Sequence, residues 1–162
     1  MRTYPTKNDL PESTRKPVIE LLNANLANAI DLALQSKQAH WNVKGPDFIQ
    51  LHELFDQVYA EATAWVDLIA ERAVILGGVA EGALKNVSHK TQLPPYGLEL
   101  STGKDHVDAL SRGLSVFGKS IREAIDASEE HGDLDTADLF TEVSRGADKM
   151  LWFVEAHLQA EK

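Results

Sequence analysis

The chain has 162 residues and no cysteine, so it is long enough for one domain with its own core and cannot form disulfides, thiolate zinc sites or cysteine nucleophiles. Its 16 basic and 25 acidic residues give a formal net charge of −9. This charge disfavours general binding to nucleic-acid phosphate backbones and favours binding of small cations. The amino terminus lacks an apolar signal-like region, and no apolar run approaches the roughly 20 residues that cross a bilayer. We therefore expect a soluble, cytoplasmic protein that does not associate with membranes.

Apolar residues recur at helical spacing in four long segments, and no segment alternates like a strand, which predicts an all-α fold. The first helix is expected to run from Pro17, a suitable first-turn residue, to about His40. After a break at Gly45 and Pro46, the second helix is expected to continue to the glycines at 77–78. The second helix carries apolar residues that step by threes and fours, as in the seam of a bundle: Leu51, Phe55, Val58, Ala62, Trp65, Ile69, Ala73 and Leu76.

Residues 79–101 are rich in turn-forming residues and predict a long crossover, with a short helix near Glu81–Val87. Such a crossover lets the third long helix run parallel to the second. The third helix is expected to start at a capping box, Thr102–Asp105, and to stop at Gly132.

The fourth long helix is expected over residues 135–159, and its apolar face is predicted to include Leu158. Four helices joined by one long crossover favour a ferritin-like four-helix bundle over a simple up-and-down bundle. We predict that this domain spans residues 15–162 and that residues 1–14 form a flexible tail.

Four potential metal ligands on the second helix form two pairs at i, i+4 spacing: His52 with Asp56, and Asp67 with Glu71. This spacing places side chains one above the other on a helix. At about 100° per residue, all four fall on one flank about 100° wide, beside the apolar seam rather than opposite it. That flank is not the ordinary solvated face, and we expect another surface to pack there.

The axial distance between the pairs excludes a single ion held by one helix, because Asp56 and Asp67 are separated by roughly 16 Å at about 1.5 Å per residue. None of the six histidines has the Glu-x-x-His spacing of an intrachain di-metal site. An antiparallel copy of the helix, related by a two-fold axis near residues 61–62, would place one pair opposite the other. The sequence therefore predicts two equivalent sites across a symmetric dimer, with His40 folding back as a further ligand or outer-shell group.

Two imidazoles and three carboxylates suit Fe(II) or a similar divalent ion better than Ca²⁺ or Mg²⁺. The alternatives are that the acidic pairs are solvated surface and that the histidines are satisfied interface residues. Agreement between the two pairs favours the metal site. Trp41 and Trp65 are predicted to be packing groups, with radical quenching near an oxidising metal as the alternative.

Several stretches resemble the Dps proteins, the mini-ferritins of bacteria: HWNVKGPDFIQLHELFD (40–56), DLIAERAVILGG (67–78), TADLF (136–140) and DKMLWFVEAH (148–157). The resemblance covers nearly the whole chain. It implies a hollow shell of twelve identical subunits with ferroxidase sites at two-fold interfaces. In each site His40, His52 and Asp56 would come from one subunit, and Asp67 and Glu71 from its mate.

The implied reaction is oxidation of Fe(II), preferably by hydrogen peroxide, followed by storage of ferric oxyhydroxide in the cavity. Zinc is an alternative occupant of the site. The segment EEHGDLDTADLF (129–140) resembles the lining of the family's acidic three-fold pores, with Asp138 as the main candidate and Asp133 and Glu129 as weaker ones. For Asp133, capping of the fourth helix is the alternative.

Some members of the family bind DNA through lysine-rich tails, but residues 1–16 here carry four basic residues offset by two acidic ones. So few charges would give contacts that physiological salt weakens. We therefore expect weak DNA binding and protection of DNA through removal of iron and peroxide. The rival hypotheses are a structural protein that compacts the nucleoid through its tails, and an inert helical oligomer.

Overall fold

The computed structural model describes residues 2–159 of the protein as five α-helices and, within that range, no β-strand. The helices are α1 Glu12–Asn42, α2 Phe48–Ile75, α3 Leu84–Lys90, α4 Gly103–Glu130 and α5 Leu134–Glu155. This confirms the all-α prediction. Met1, in the predicted tail, and residues 160–162, at the end of the predicted domain, lie outside the described residues.

The core of the bundle is built from the apolar stripes of the four long helices. Leu22, Phe55, Phe117 and Phe140, one from each helix, are completely buried. Helix α1 packs mainly against α2, and α4 mainly against α5. Within the described range, no helix combines the length and apolar character needed to cross a membrane.

Buried amide side chains on α1 hold the crossover between α2 and α4. Asn23 donates to the carbonyl oxygen of Val79 (3.0 Å) and accepts from the backbone N–H of Glu81 (2.8 Å). Farther along α1, Asn28 accepts from the backbone N–H of Gln92 (2.8 Å). These bonds satisfy backbone groups that have no helical partner, so an irregular segment can lie against the bundle.

Helix α1 begins five residues before the predicted start at Pro17 and so includes residues assigned to the tail. Two hydrogen bonds from the guanidinium of Arg15 support the extra turn. Its Nε donates to the carbonyl oxygen of Leu10 and its Nη1 to that of Leu76, each at 2.9 Å. Helix–turn contacts of this kind have no local sequence pattern.

Two other boundaries also differ from the prediction. Helix α3 lies three residues later than expected, since Asn23 holds residues 79–81 along α1. Helix α5 ends at Glu155, and Leu158, predicted to face inward, is 39% exposed. The N–H of Leu158 bonds to the carbonyl oxygen of Glu155 three residues before it, and this tighter turn moves its side chain off the helical seam.

Candidate functional site

Two histidines meet where α1 ends and α2 begins. The rings of His40 and His52 are stacked, with centroids 3.7 Å apart and an angle of 21° between their planes. The Nδ1 of His40 lies 2.7 Å from the carbonyl oxygen of His52, and the Nδ1 of His52 lies 2.8 Å from that of His40. A carbonyl oxygen only accepts, so each Nδ1 carries the hydrogen, and in the neutral ring the lone pair is on Nε2. Hydrogen bonding of one ring nitrogen commonly orients the other toward a metal.

Asp56 lies one turn after His52 and forms an ion pair with Lys37 of α1. The hydrogen bond from Lys37 and the charge of its ammonium hold the pKa of Asp56 below its ordinary value, although partial burial opposes this. The Lys37 ammonium also sits 4.7 Å from the centre of the Tyr59 ring. The carboxylate therefore stays ionised, as a metal ligand must.

Lys37 was not among the site residues predicted from the sequence. The available signal was its position three residues before His40, which places both side chains on the same face of α1. A surface lysine at such a position is ordinarily solvated, so spacing alone did not distinguish it.

Asp67 and Glu71 lie on the exposed flank of α2. Among residues 2–159 of one protomer, no group of three or more His, Cys, Asp or Glu side chains is arranged to hold a metal ion. The fold brings His40 and His52 together, with Asp56 one turn farther along α2, and leaves Asp67 and Glu71 farther along the same helix. The five candidates do not meet within one protomer.

Comparison with known proteins gives the family. A family model described as the ferritin-like domain matches residues 19–162. The DNA protection during starvation protein of Agrobacterium fabrum is 51% identical over 159 residues, which are 98% of this chain and 98% of that protein. This chain belongs to the Dps family.

Solved structures agree with this assignment. DpsC from Streptomyces coelicolor matches with a TM-score of 0.94 and 30% identity, covering 99% of this chain and 94% of its own. Dps from Microbacterium arborescens, in its high iron form, matches with a TM-score of 0.87 and 31% identity, covering 93% and 97%. The predicted ferritin-like bundle and the resemblance to Dps proteins are thereby confirmed.

Apolar side chains flank both halves of the candidate site in this Dps chain. Val74 and Ile75, next to Glu71, are each 54% exposed. Trp41, next to His40, is 67% exposed, so the packing role predicted for it is not fulfilled within one protomer. Trp65, by contrast, is buried and stacks on Phe117 at 5.6 Å between ring centroids. Clustered exposed apolar groups are typical of surfaces that another chain covers.

The three candidate pore residues have different environments. Glu129 and Asp138 are exposed at the end of α4 and the start of α5. Asp133 is only 1% exposed; its carboxylate accepts from the N–H of Thr136 (3.0 Å) and from Nη2 of Arg72 (2.7 Å). Asp133 therefore has the capping role that was the alternative at that position. Its burial and its ion pair with Arg72 leave Asp138 and Glu129 as the exposed candidates for a pore.

Proposed function

We propose that this chain is a ferroxidase of the mini-ferritin type that oxidises Fe(II) at sites shared by two subunits. The observation that carries the proposal is the stacked pair of His40 and His52, whose Nδ1 atoms are each held by a carbonyl oxygen so that Nε2 is left for a metal, with the ionised Asp56 one turn farther along α2. His40, His52 and Asp56 of one subunit would act with Asp67 and Glu71 of its mate. Glu71 is the residue that we expect to bridge two iron ions.

The reaction that suits this ligand set is a paired oxidation. Two Fe(II) ions each give one electron to hydrogen peroxide, which takes up two protons and leaves as two water molecules, so no hydroxyl radical is released. The protein supplies ligand positions and negative charge rather than acid–base groups. Zinc accepts the same imidazole and carboxylate ligands and is expected to compete for the site.

Storage is the second half of the proposed function. We expect twelve subunits to enclose a cavity that holds ferric oxyhydroxide, with Asp138 and Glu129 near three-fold pores that draw in Fe(II). The Microbacterium relative described in a high iron form supports iron as the stored metal. The net charge of −9 per chain also favours attraction of Fe(II) to the assembly.

Protection of DNA would follow from removal of iron and peroxide rather than from tight contact. The amino-terminal segment lies against the body of the protein: the N–H of Tyr4 donates to the carbonyl oxygen of Gly77 (2.7 Å), and the Arg2 guanidinium lies 4.8 Å from the centre of the Tyr4 ring. These contacts hold Arg2, one of the few basic residues of the segment, near the turn between α2 and α3. They make the rival nucleoid-compacting role less suited to this chain.

Two half-site variants test the proposal together. One carries His40→Ala and His52→Ala, and the other carries Asp67→Ala and Glu71→Ala. Each alone is expected to lose about 100-fold or more of the initial rate of Fe(II) oxidation by peroxide, because loss of outer-shell partners alone costs about 10–100-fold. Dissociation and joint reassembly should then restore activity, since each mixed dimer contains one intact site. Random mixing predicts about one quarter of the wild-type rate, because about half of isologous dimers are mixed.

The control variant carries Glu20→Ala and Asp126→Ala, which remove two exposed carboxylates from α1 and α4 and should leave the rate unchanged. Failure of the mixed assembly to regain activity would contradict a site shared between subunits. Full activity in either half-site variant alone would contradict the assignment of these residues to the ferroxidase site, and a wild-type assembly that does not accelerate Fe(II) oxidation would contradict the ferroxidase proposal itself.

A further inference from the structure

His106 is a buried histidine that the proposed ferroxidase reaction does not use. It lies in the first turns of α4, four residues after the capping residue Thr102, and is only 1% exposed. Its Nδ1 lies 2.7 Å from the hydroxyl of Tyr96 in the crossover. Its Nε2 is buried and has no hydrogen-bond partner among residues 2–159.

The ring is enclosed by three other parts of the chain. Tyr96 stacks beside it with 6.0 Å between ring centroids, and Phe55 of α2 lies at 6.4 Å. The α1–α2 turn passes close by, where the N–H of Lys44 bonds to the carbonyl oxygen of Ser101 (3.0 Å). His106 therefore lies where the crossover, α2, α4 and this turn converge.

The surroundings favour the neutral imidazole. Burial lowers the pKa of His106, and the charge of Lys44 acts in the same direction, while Asp105 and the carbonyl groups of Asn42 and Leu100 oppose them. From the crossover, Tyr96 contributes an uncharged phenol, since burial raises the pKa of its hydroxyl. From α2, Phe55 contributes only an apolar ring.

A protonated ring fits this site poorly. Imidazolium carries a hydrogen on both nitrogens, so protonation would place a positive charge in the interior and an N–H at Nε2, which forms no hydrogen bond within the described residues. Buried, unsatisfied charged groups destabilise the packing around them. The site also lies near the amino-terminal end of α4, where the helix dipole disfavours a cation.

We propose that His106 and Tyr96 form an acid-sensitive latch that holds the end of the crossover, residues 91–101, against α4 and the α1–α2 turn. At neutral pH the uncharged pair keeps the latch closed. When the ring takes up a proton, the latch opens and this end of the crossover separates from the bundle. The inference does not depend on the ferroxidase proposal.

The sign and size of the effect follow from proton linkage. The closed state binds its proton less readily than an ordinary imidazole, which titrates near pH 6.5, so stability of the closed state is intact above about pH 6.5 and declines as the pH falls below it. Uptake of one proton limits the change to about tenfold in the opening equilibrium per pH unit.

Hydrogen exchange of the full-length assembly, measured by mass spectrometry from pH 7.5 to 5.0 and corrected for intrinsic rates, tests the latch. Peptides over residues 91–101 should lose protection below pH ~6.5 in the wild type, and His106→Gln should abolish this dependence. The matched control is His89→Gln, which removes an exposed histidine of α3 and should preserve the wild-type profile. A flat wild-type profile, or an unchanged slope in His106→Gln, would overturn the proposal.

A second measurement keeps the test decisive if His106→Gln does not fold. Exchange of the imidazole C2 hydrogen in the wild-type protein reports the titration of each histidine separately. His106 should exchange more slowly than exposed His89 and titrate below the ordinary imidazole value. Titration of His106 at or above that value would refute the latch without any variant.

Discussion

Lys37 sets the electrostatics of the histidine half of the site, because its ammonium is paired with a carboxylate that a metal ion would also need. The lysine side chain is 21% exposed and that of Asp56 is 49% exposed, so solvent reaches the pair. Under the proposed function, an incoming divalent cation would have to displace the Lys37 ammonium from Asp56. The same lysine keeps Asp56 ionised and in place, so it would have two opposed effects on metal binding.

Lys37→Gln separates these two effects. Removing the competing ammonium should strengthen binding of Co²⁺ or Zn²⁺ to the assembled apoprotein by about tenfold, because a nearby like charge ordinarily costs a cation about this much. Isothermal titration calorimetry measures the change, with the exposed α3 residue Lys85→Gln as the matched control. Weaker binding in Lys37→Gln would mean that the positioning of Asp56 outweighs competition.

Asp133 offers a second prediction at the scale of single residues. Asp133→Ala should lower the free energy of unfolding by about 3 kcal/mol, since it removes a helix cap and leaves the mostly buried Arg72 guanidinium without its nearest carboxylate. Urea denaturation at fixed protein concentration measures the loss. Asp135→Ala, two residues away with a side chain 87% exposed, should change stability by less than about 0.5 kcal/mol. Equal effects of the two changes would contradict the assigned role.

At the scale of helices, hydrophobic periodicity predicted the four long elements because each buries one continuous stripe in a common core. Their ends depended on contacts that are distant in sequence. Arg15 reaches Leu76 to extend α1, and Asn23 holds the chain before α3. Asparagine usually indicates a turn or a helix cap, so the bonds of Asn23 to the crossover could not be predicted from the local sequence.

The bonds of Asn23 can be tested by comparing two asparagines of α1. Asn23→Ala removes both side-chain bonds to the crossover and leaves two part-buried backbone groups without these partners, which costs up to about 1–3 kcal/mol per group. Hydrogen exchange around residues 79–81 should accelerate about tenfold or more. The matched control is Asn42→Ala, since the Asn42 amide donates to the carbonyl oxygen of Gln38 within the same helix. This control should leave exchange around residues 79–81 near the wild-type rate, and identical exchange in both variants would show that the bonds of Asn23 contribute little.

In the candidate site too, periodicity predicted some features, while others depended on contacts between residues distant in sequence. The i, i+4 pairs and their axial separation could be read from helix geometry, and they indicated that one chain holds only half of a site. The mutual bonding of His40 and His52 could not be read, because it depends on how the turn at 43–47 closes. Likewise, the sequence left the role of Asp133 open between a pore and a cap, and only its burial beside Arg72 decided it.

At the scale of the whole molecule, charge and the attached amino-terminal segment lead to a prediction about DNA. A mobility-shift assay at physiological salt should show free migration of duplex DNA with the wild-type assembly, since few basic groups are available and salt screens them. Adding four lysines before residue 2 serves as a positive control and should retard the DNA. A retarded complex with the unmodified protein would favour the nucleoid-compacting alternative.

The reciprocal bonds between His40 and His52 have a consequence for biogenesis. Both rings are oriented by carbonyl oxygens of their own subunit, so a newly folded monomer already holds the two imidazoles in place before it meets another. Under the proposed function, catalytic competence would then arise in the encounter of two such monomers, with no later maturation step. The time at which Fe(II) oxidation begins after dilution from denaturant would then report when subunits pair.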